Sequence, residues 1–507
     1  MAVNDNQSAA ERKSAIMQRH EQTAREVLPD HRELYIGGEW SSSTSGTTFE
    51  TRDPTTGEAL AEVQAASEAD VDRAVEAAWE AYDEVYCDYS TADRQAMLEA
   101  IADRVEANKE AFARLESLDN GKPITEARID VGLVIDHFRY FAGIVRGHEG
   151  ATVETDDSRT VQTFNEPYGV VGQIIPWNFP LLMAAWKLGP ALAGGNTVVL
   201  KPSSSTPLTV LKLMEEAGDV IPDGVVNLVT GFGSEAGAAL ANHDGIRKVA
   251  FTGSTTVGKG IMKSAADNIT DITLELGGKS PVVVFPDADM ETAVETAITA
   301  IFFNTGEVCC AGSRLFVHED IKEEYLDRLA AAVDDLTIGD PLLEETDLGP
   351  KVSEDELETT LGYIEAAREA GASIVAGGDQ PDDSALADGC FVTPTLIDDI
   401  DHDSAPVQEE IFGPVQEVFS WNDYDEMIEL ANDVDFGLAA GILTENLTKA
   451  HQCARDIEAG TIWVNTYNDF PAGQPFGGYK QSGIGRETAK VAIDHYTQTK
   501  TVNFALE

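Results

Sequence analysis

Basic residues are scarce in this chain. It has 35 Lys and Arg against 89 Asp and Glu in 507 residues, a formal net charge of -54 at pH 7. No basic block offsets the deficit, so a nucleic-acid polyanion would be repelled, and nucleic-acid binding is excluded as a function class. Cysteine is sparse too. Cys87, Cys309, Cys310, Cys390 and Cys453 form an odd set in a large chain, which is no disulfide framework. Long apolar runs are missing: none approaches the roughly 18 residues of a membrane span. The opening MAVNDNQSAAERKSAIMQRH has no apolar signal core, so a soluble, cytoplasmic protein without a membrane partner is expected. Internal repeats and low-complexity linkers are also lacking.

Apolar residues make up 43% of the chain, enough for large cores, and the length predicts two or three domains. The acids are dispersed, as in DEVYCDYSTADRQ and DDIDHDSAPVQEE. A dispersed acidic surface on an ordinary core predicts a halophilic protein, kept soluble where the Debye length is only about 3 Å at 1 M salt.

Residues 1–30 read as a polar helical lead-in, and ELYIGGEW (33–40) as a short hairpin turning at Gly37 and Gly38. From 67 to about 147 the apolar spacing is helical. After residue 151 short apolar runs alternate with helices, in GVVGQIIPWNFP, GNTVVLKPSSSTPL, GVVNLVTGFGSEAGAALA and KVAFTGSTTVGKGIMKSAA. That rhythm predicts a parallel sheet covered by helices. PVVVF (281–285) and a helix from Met290 start a second α/β unit, and TQTKTVNFAL alternates like an edge strand.

Two glycine loops follow strands. Gly231-x-Gly233-x-x-x-Gly237 nearly matches the dinucleotide fingerprint, with its last spacing one too long. Gly253-Ser254-Thr255-Thr256-Val257-Gly258 opens a helix whose N-terminus and hydroxyls could hold a pyrophosphate. Either alone is equally well a tight structural turn; together they favour a nucleotide cleft.

The strings PWNFP (176–180), FTGST (251–255), LELGGKSP (274–281), FFNTGEVCCAGSR (302–314), EEIFGPV (409–415) and PFGGYKQSGIGRE (475–487) occur in this order. From about residue 34 to 504 the chain resembles the aldehyde dehydrogenase superfamily. The resemblance implies three parts: a Rossmann-like cofactor domain (1–147 and 168–277), an α/β catalytic domain with a thiol nucleophile (278–492) and a small β oligomerisation arm (148–167 and 493–507). It also implies a homodimer or homotetramer. Of the vicinal cysteines, the motif places the nucleophile at Cys309 and leaves Cys310 structural.

By that resemblance a Cys309 thiolate adds to an aldehyde carbon, Asn178 stabilises the oxyanion, and Glu275 activates the water that cleaves the thioester. Glu275 stands in an apolar strand, flanked by Leu274 and Leu276, where desolvation raises a carboxyl's pKa. Lys201 resembles the lysine that reaches the adenosine ribose. Gly253 and Ser254 would hold the phosphates with Trp177 beside them, and Glu410 and Phe412 would flank the nicotinamide ribose. No metal is implied. Many NAD-using members carry Glu three residues after that lysine; here Ser204 stands there. A serine would not repel a 2'-phosphate, so the cofactor expectation is NADP or NAD, with NADP favoured by Ser204.

The positions that line the substrate tunnel in the family are Phe179, Met183, Trp186, Phe303, Val308, Phe470 and Phe476. This apolar lining predicts a neutral aliphatic or aromatic aldehyde. The same rings could grip a quaternary ammonium, which makes betaine aldehyde the second candidate. A CoA-acylating enzyme and a catalytically silent homologue are further alternatives, both disfavoured by the intact set Asn178, Glu275 and Cys309.

Overall fold

The computed structural model describes residues 8–156 and 158–506. Residues 1–7 of the expected helical lead-in, Asp157 in the arm and Glu507 at its end lie outside the described residues. The lead-in helix, Ala9–Val27, begins on a capping box made by Ser8 and Glu11. The hairpin forms as expected, from Leu34–Ile36 and Glu39–Ser41. Its turn residues Gly37 and Gly38 have φ of 65° and 86°, values that favour glycine.

Five parallel strands form the middle of an eight-stranded sheet, in the order Val226–Leu228, Thr197–Lys201, Val170–Ile174, Lys248–Thr252, Asp271–Glu275. The three central strands are buried at every residue. Helices cover both faces, which is why these segments read as continuous apolar runs and not as alternation. The chain steps outward from 170–174 to 226–228, then crosses to the other side at 248–252. That reversal makes a switch point beside Val170–Ile174, and a crevice opens at the carboxyl ends of the strands there.

A second sheet has seven strands, in the order Ser373–Ala376, Thr395–Asp398, Val415–Trp421, Arg314–His318, Pro281–Val284, Ala439–Leu443, Thr461–Val464. Only its first pair is antiparallel. Gly483–Ile484 returns to the edge of the first sheet beside Leu274 and Glu275. The tail strand Thr497–Ala505 pairs antiparallel with Arg159–Pro167, itself paired with Thr152–Asp156. The architecture is thus the α/β arrangement expected, with a separate β-arm. Among the described residues no helix is long and apolar enough to cross a membrane.

Candidate active site

The crevice of the first sheet opens toward the nucleophile loop of the second, and a cavity of about 410 Å3 lies between them. Asn178 arrives four residues after the end of Val170–Ile174, and Glu275 is the last residue of its strand. Cys309 follows the helix Met290–Phe302 after a tight turn in which Asn304 and Thr305 take left-handed φ of 50° and 53°. All three line the cavity, with all seven expected tunnel residues and with Trp177, Gly253, Ser254, Glu410 and Phe412. Lys201 and Ser204 do not line it. They lie at and beyond the carboxyl end of Thr197–Lys201.

Cys309 is half-buried and Cys310 buried; all five cysteines are free thiols. The Cys309 main chain packs so closely on Gly278 that a Cβ at that glycine would collide with the Cys309 carbonyl oxygen. A hydrogen bond with Cys310, burial and the charge of Glu410 hold the Cys309 thiol well above its usual pKa. A raised pKa favours the protonated form, so the sulfur must lose a proton before it attacks.

Glu275 is 4% exposed, and among the described residues neither carboxylate oxygen has a hydrogen-bond partner. Burial raises its pKa well above the usual carboxyl range, and Glu487 and Cys309 raise it further. Lys187, bonded to Glu487 at 2.5 Å, works in the opposite direction. The desolvation expected from the sequence is what the strand provides.

The Asn178 side-chain amide donates to the Glu307 carbonyl oxygen at 2.9 Å. Lys122, fully buried, donates to the Asn178 carbonyl at 3.0 Å and to Asp130 at 2.6 Å. Its ammonium also sits 4.3 Å from the centre of the Phe179 ring. Glu410 accepts from the Gly278 N–H at 2.9 Å, and burial pushes its carboxyl up to about 7. Phe412 has φ 57° and meets Trp177 edge to face at 5.2 Å. At the tunnel end, Trp186 lies 5.3 Å from Phe476 and 6.1 Å from Phe470.

The outer crevice offers unsatisfied donors. Lys201 is 3% exposed, and burial lowers its pKa to about 8. Ser254 caps the helix Thr255–Asn268. The hydroxyls of Thr252 and Thr255 are buried without partners among the described residues. A buried cation without a carboxylate and orphaned hydroxyls at a helix N-terminus fit a ligand carrying sugar hydroxyls and phosphates.

The sequence reading missed the groups that support the reactive ones: Lys187 with Glu487, Lys122 with Asp130, and Glu307 with Lys351. Glu307 and Glu487 stood inside recognised strings. Nothing in one dimension paired them with lysines 44 and 300 positions away.

Residues 40–502 match the aldehyde dehydrogenase family.

The chain belongs to the aldehyde dehydrogenase family.

The enzyme class expected from the motifs is thereby borne out. An aldehyde dehydrogenase of Vibrio cholerae is 47% identical over 477 residues, 92% of this chain and 94% of its own. DhaS of Bacillus subtilis is also 47% identical, over 485 residues, 95% of this chain and 97% of its own. Among solved structures, an NAD+ complex of a Bacillus cereus aldehyde dehydrogenase superposes with a TM-score of 0.93. It is 45% identical over 95% of this chain and 98% of that one. A betaine aldehyde dehydrogenase of Staphylococcus aureus with NAD+ gives 0.93 at 38% identity, over 95% of this chain and 96% of that one.

Proposed function

We propose that this aldehyde dehydrogenase converts a neutral aliphatic or aromatic aldehyde to its carboxylic acid through a thioester on Cys309. One observation carries the reading: Asn178, Glu275 and Cys309 converge from two sheets on one apolar-lined cavity, with the Glu275 carboxyl buried and without a hydrogen-bond partner among the described residues.

The Cys309 sulfur, once deprotonated, adds to the aldehyde carbon, and the carbonyl electrons move onto oxygen. The second Asn178 amide proton and the Cys309 N–H are the donors for that oxyanion. A bound nicotinamide dinucleotide would supply the acceptor for the hydride that leaves the adduct carbon as the oxyanion collapses. Cys309 then holds an acyl thioester. Glu275 takes a proton from water as its oxygen attacks the acyl carbon; the C–S bond breaks, and the proton passes from Glu275 to the departing sulfur, releasing acid and thiol. An unpartnered base beside the sulfur supports hydrolysis over transfer to CoA.

Lys201 and the loop at Gly253–Ser254 would hold the dinucleotide, with Glu410 and Phe412 on its nicotinamide side. NAD is the cofactor in the complexes of the relatives. We propose that NADP is also accepted here, since Ser204 presents no carboxylate beside Lys201. The exposed Val153, Phe164, Phe504 and Leu506 of the arm support a homodimer or homotetramer. The rings of Trp186, Phe470 and Phe476 keep betaine aldehyde as the second substrate reading.

The test is an aldehyde panel with NAD and NADP in molar KCl, on wild type and Cys309→Ala. Acid and reduced cofactor should form only with the wild type. Undiminished turnover by the alanine variant would remove Cys309 from the mechanism.

A further inference from the structure

Behind the nucleophile, a buried ion pair joins the two loops that lead into the neighbouring parallel strands Arg314–His318 and Val415–Trp421. Lys351 is fully buried, and its main-chain N–H is anchored to the Cys390 carbonyl at 2.8 Å. From that base its ammonium meets Glu307 Oε1 at 2.8 Å and donates to the Phe412 carbonyl oxygen. Glu307 stands two residues before Cys309, and its own carbonyl accepts the Asn178 amide at 2.9 Å and Asn304 Nδ2 at 3.2 Å. The loops are in backbone contact, since a Cβ at Gly306 would strike the Gly413 main chain. Phe412 is held at φ 57°, a conformation a phenylalanine seldom adopts unless its neighbours impose it.

A buried ion pair contributes little net stability compared with apolar residues of the same volume. A cation at 351 therefore needs another reason, and the geometry supplies one. We propose that Lys351 is a positioning residue: it sets the Cys309 loop through Glu307 and the nicotinamide-side loop through the Phe412 carbonyl. One ammonium thus keeps sulfur and dinucleotide in register. The inference rests on the roles given above to Cys309 and Phe412.

The test compares Lys351→Met, Glu307→Gln/Lys351→Met and Glu307→Gln/Lys351→Gln. Three readouts apply: thermal midpoint, Kd for NAD by calorimetry, and the rate of Cys309 alkylation by iodoacetamide without nucleotide. The single variant leaves a buried carboxylate unpaired and is expected to lose stability. The Met double variant removes that carboxylate charge and should melt near wild type, yet bind NAD about tenfold more weakly, because nothing reaches the Phe412 carbonyl. Its alkylation rate should also change. In the Gln double variant, neutral amides span the same gap, and both properties should return to within about threefold of wild type. A well-folded Met double variant with wild-type NAD affinity and alkylation rate would overturn the proposal. So would a folded Gln double variant that rescues neither. None of these readouts requires turnover, so they fail or succeed separately from the acid-forming reaction.

Discussion

Asn178 and Glu307 are joined across the two sheets by a 2.9 Å bond from side-chain amide to main-chain carbonyl. The bond spends one amide proton; the other has no partner among the described residues. Asn178→Ala should therefore remove an aimed donor while the Glu307 carbonyl keeps its second donor, Asn304, at 3.2 Å. We expect kcat to fall about 100- to 1000-fold with the thermal midpoint nearly unchanged. A variant that loses stability and activity in parallel would assign Asn178 to scaffolding.

Glu275→Gln separates the two halves of the reaction. A rapid burst of reduced cofactor should persist, matched to enzyme concentration, while steady turnover fails for lack of a base. Because burial raises the Glu275 pKa, the base form is lost as pH falls, so wild-type deacylation should accelerate toward alkaline pH. Stopped-flow traces without a burst in the glutamine variant would contradict the assignment.

Lys201 should make NADP binding more pH-dependent than NAD binding. Burial lowers its pKa to about 8, so the free ammonium is charged at pH 7 and largely neutral at pH 9. A 2'-phosphate needs that charge, whereas ribose hydroxyls can bond to either form. Calorimetry at the two pH values should show NADP affinity falling more than NAD affinity as pH rises. Equal slopes would place the lysine away from a 2'-phosphate.

His20 pins the first helix to the body of the protein. Its ring nitrogens lie 2.6 Å from Asp53 and 2.8 Å from Asp340. Burial alone would push its pKa down, but bonds to Asp340 and Asp53 and their charges outweigh it and raise the ring to about 9. A raised histidine stabilises the fold fully below about 6.5 and loses that contribution as pH rises through about 9. The contribution is about 3 kcal/mol. Denaturant midpoints should fall between pH 6 and pH 9.5 in the wild type, and His20→Gln should flatten that dependence.

The net charge of -54 predicts a protein stabilised by salt. Going from about 0.1 M to about 1 M KCl shortens the Debye length from about 10 Å to about 3 Å and screens repulsion among the acids. The thermal midpoint should rise across that range. A falling midpoint would show that exposed ion pairs matter more than the repulsion.

What the sequence determined by itself was the set of local patterns. Continuous apolar runs such as TVVL and VVG announced doubly covered parallel strands, because strand burial is written every residue along the chain. Gly37 and Gly38 marked their turn, and the motif strings named Cys309, Asn178 and Glu275. Only the tertiary structure decided what surrounds these groups. Lys187 lies 300 positions from Glu487, and Lys351 lies 61 from Phe412. Such pairs leave no periodic trace. The protonation of Cys309 was likewise undecided by its motif, because a pKa is set by burial and by charges gathered in space, and those come from segments that only folding brings together.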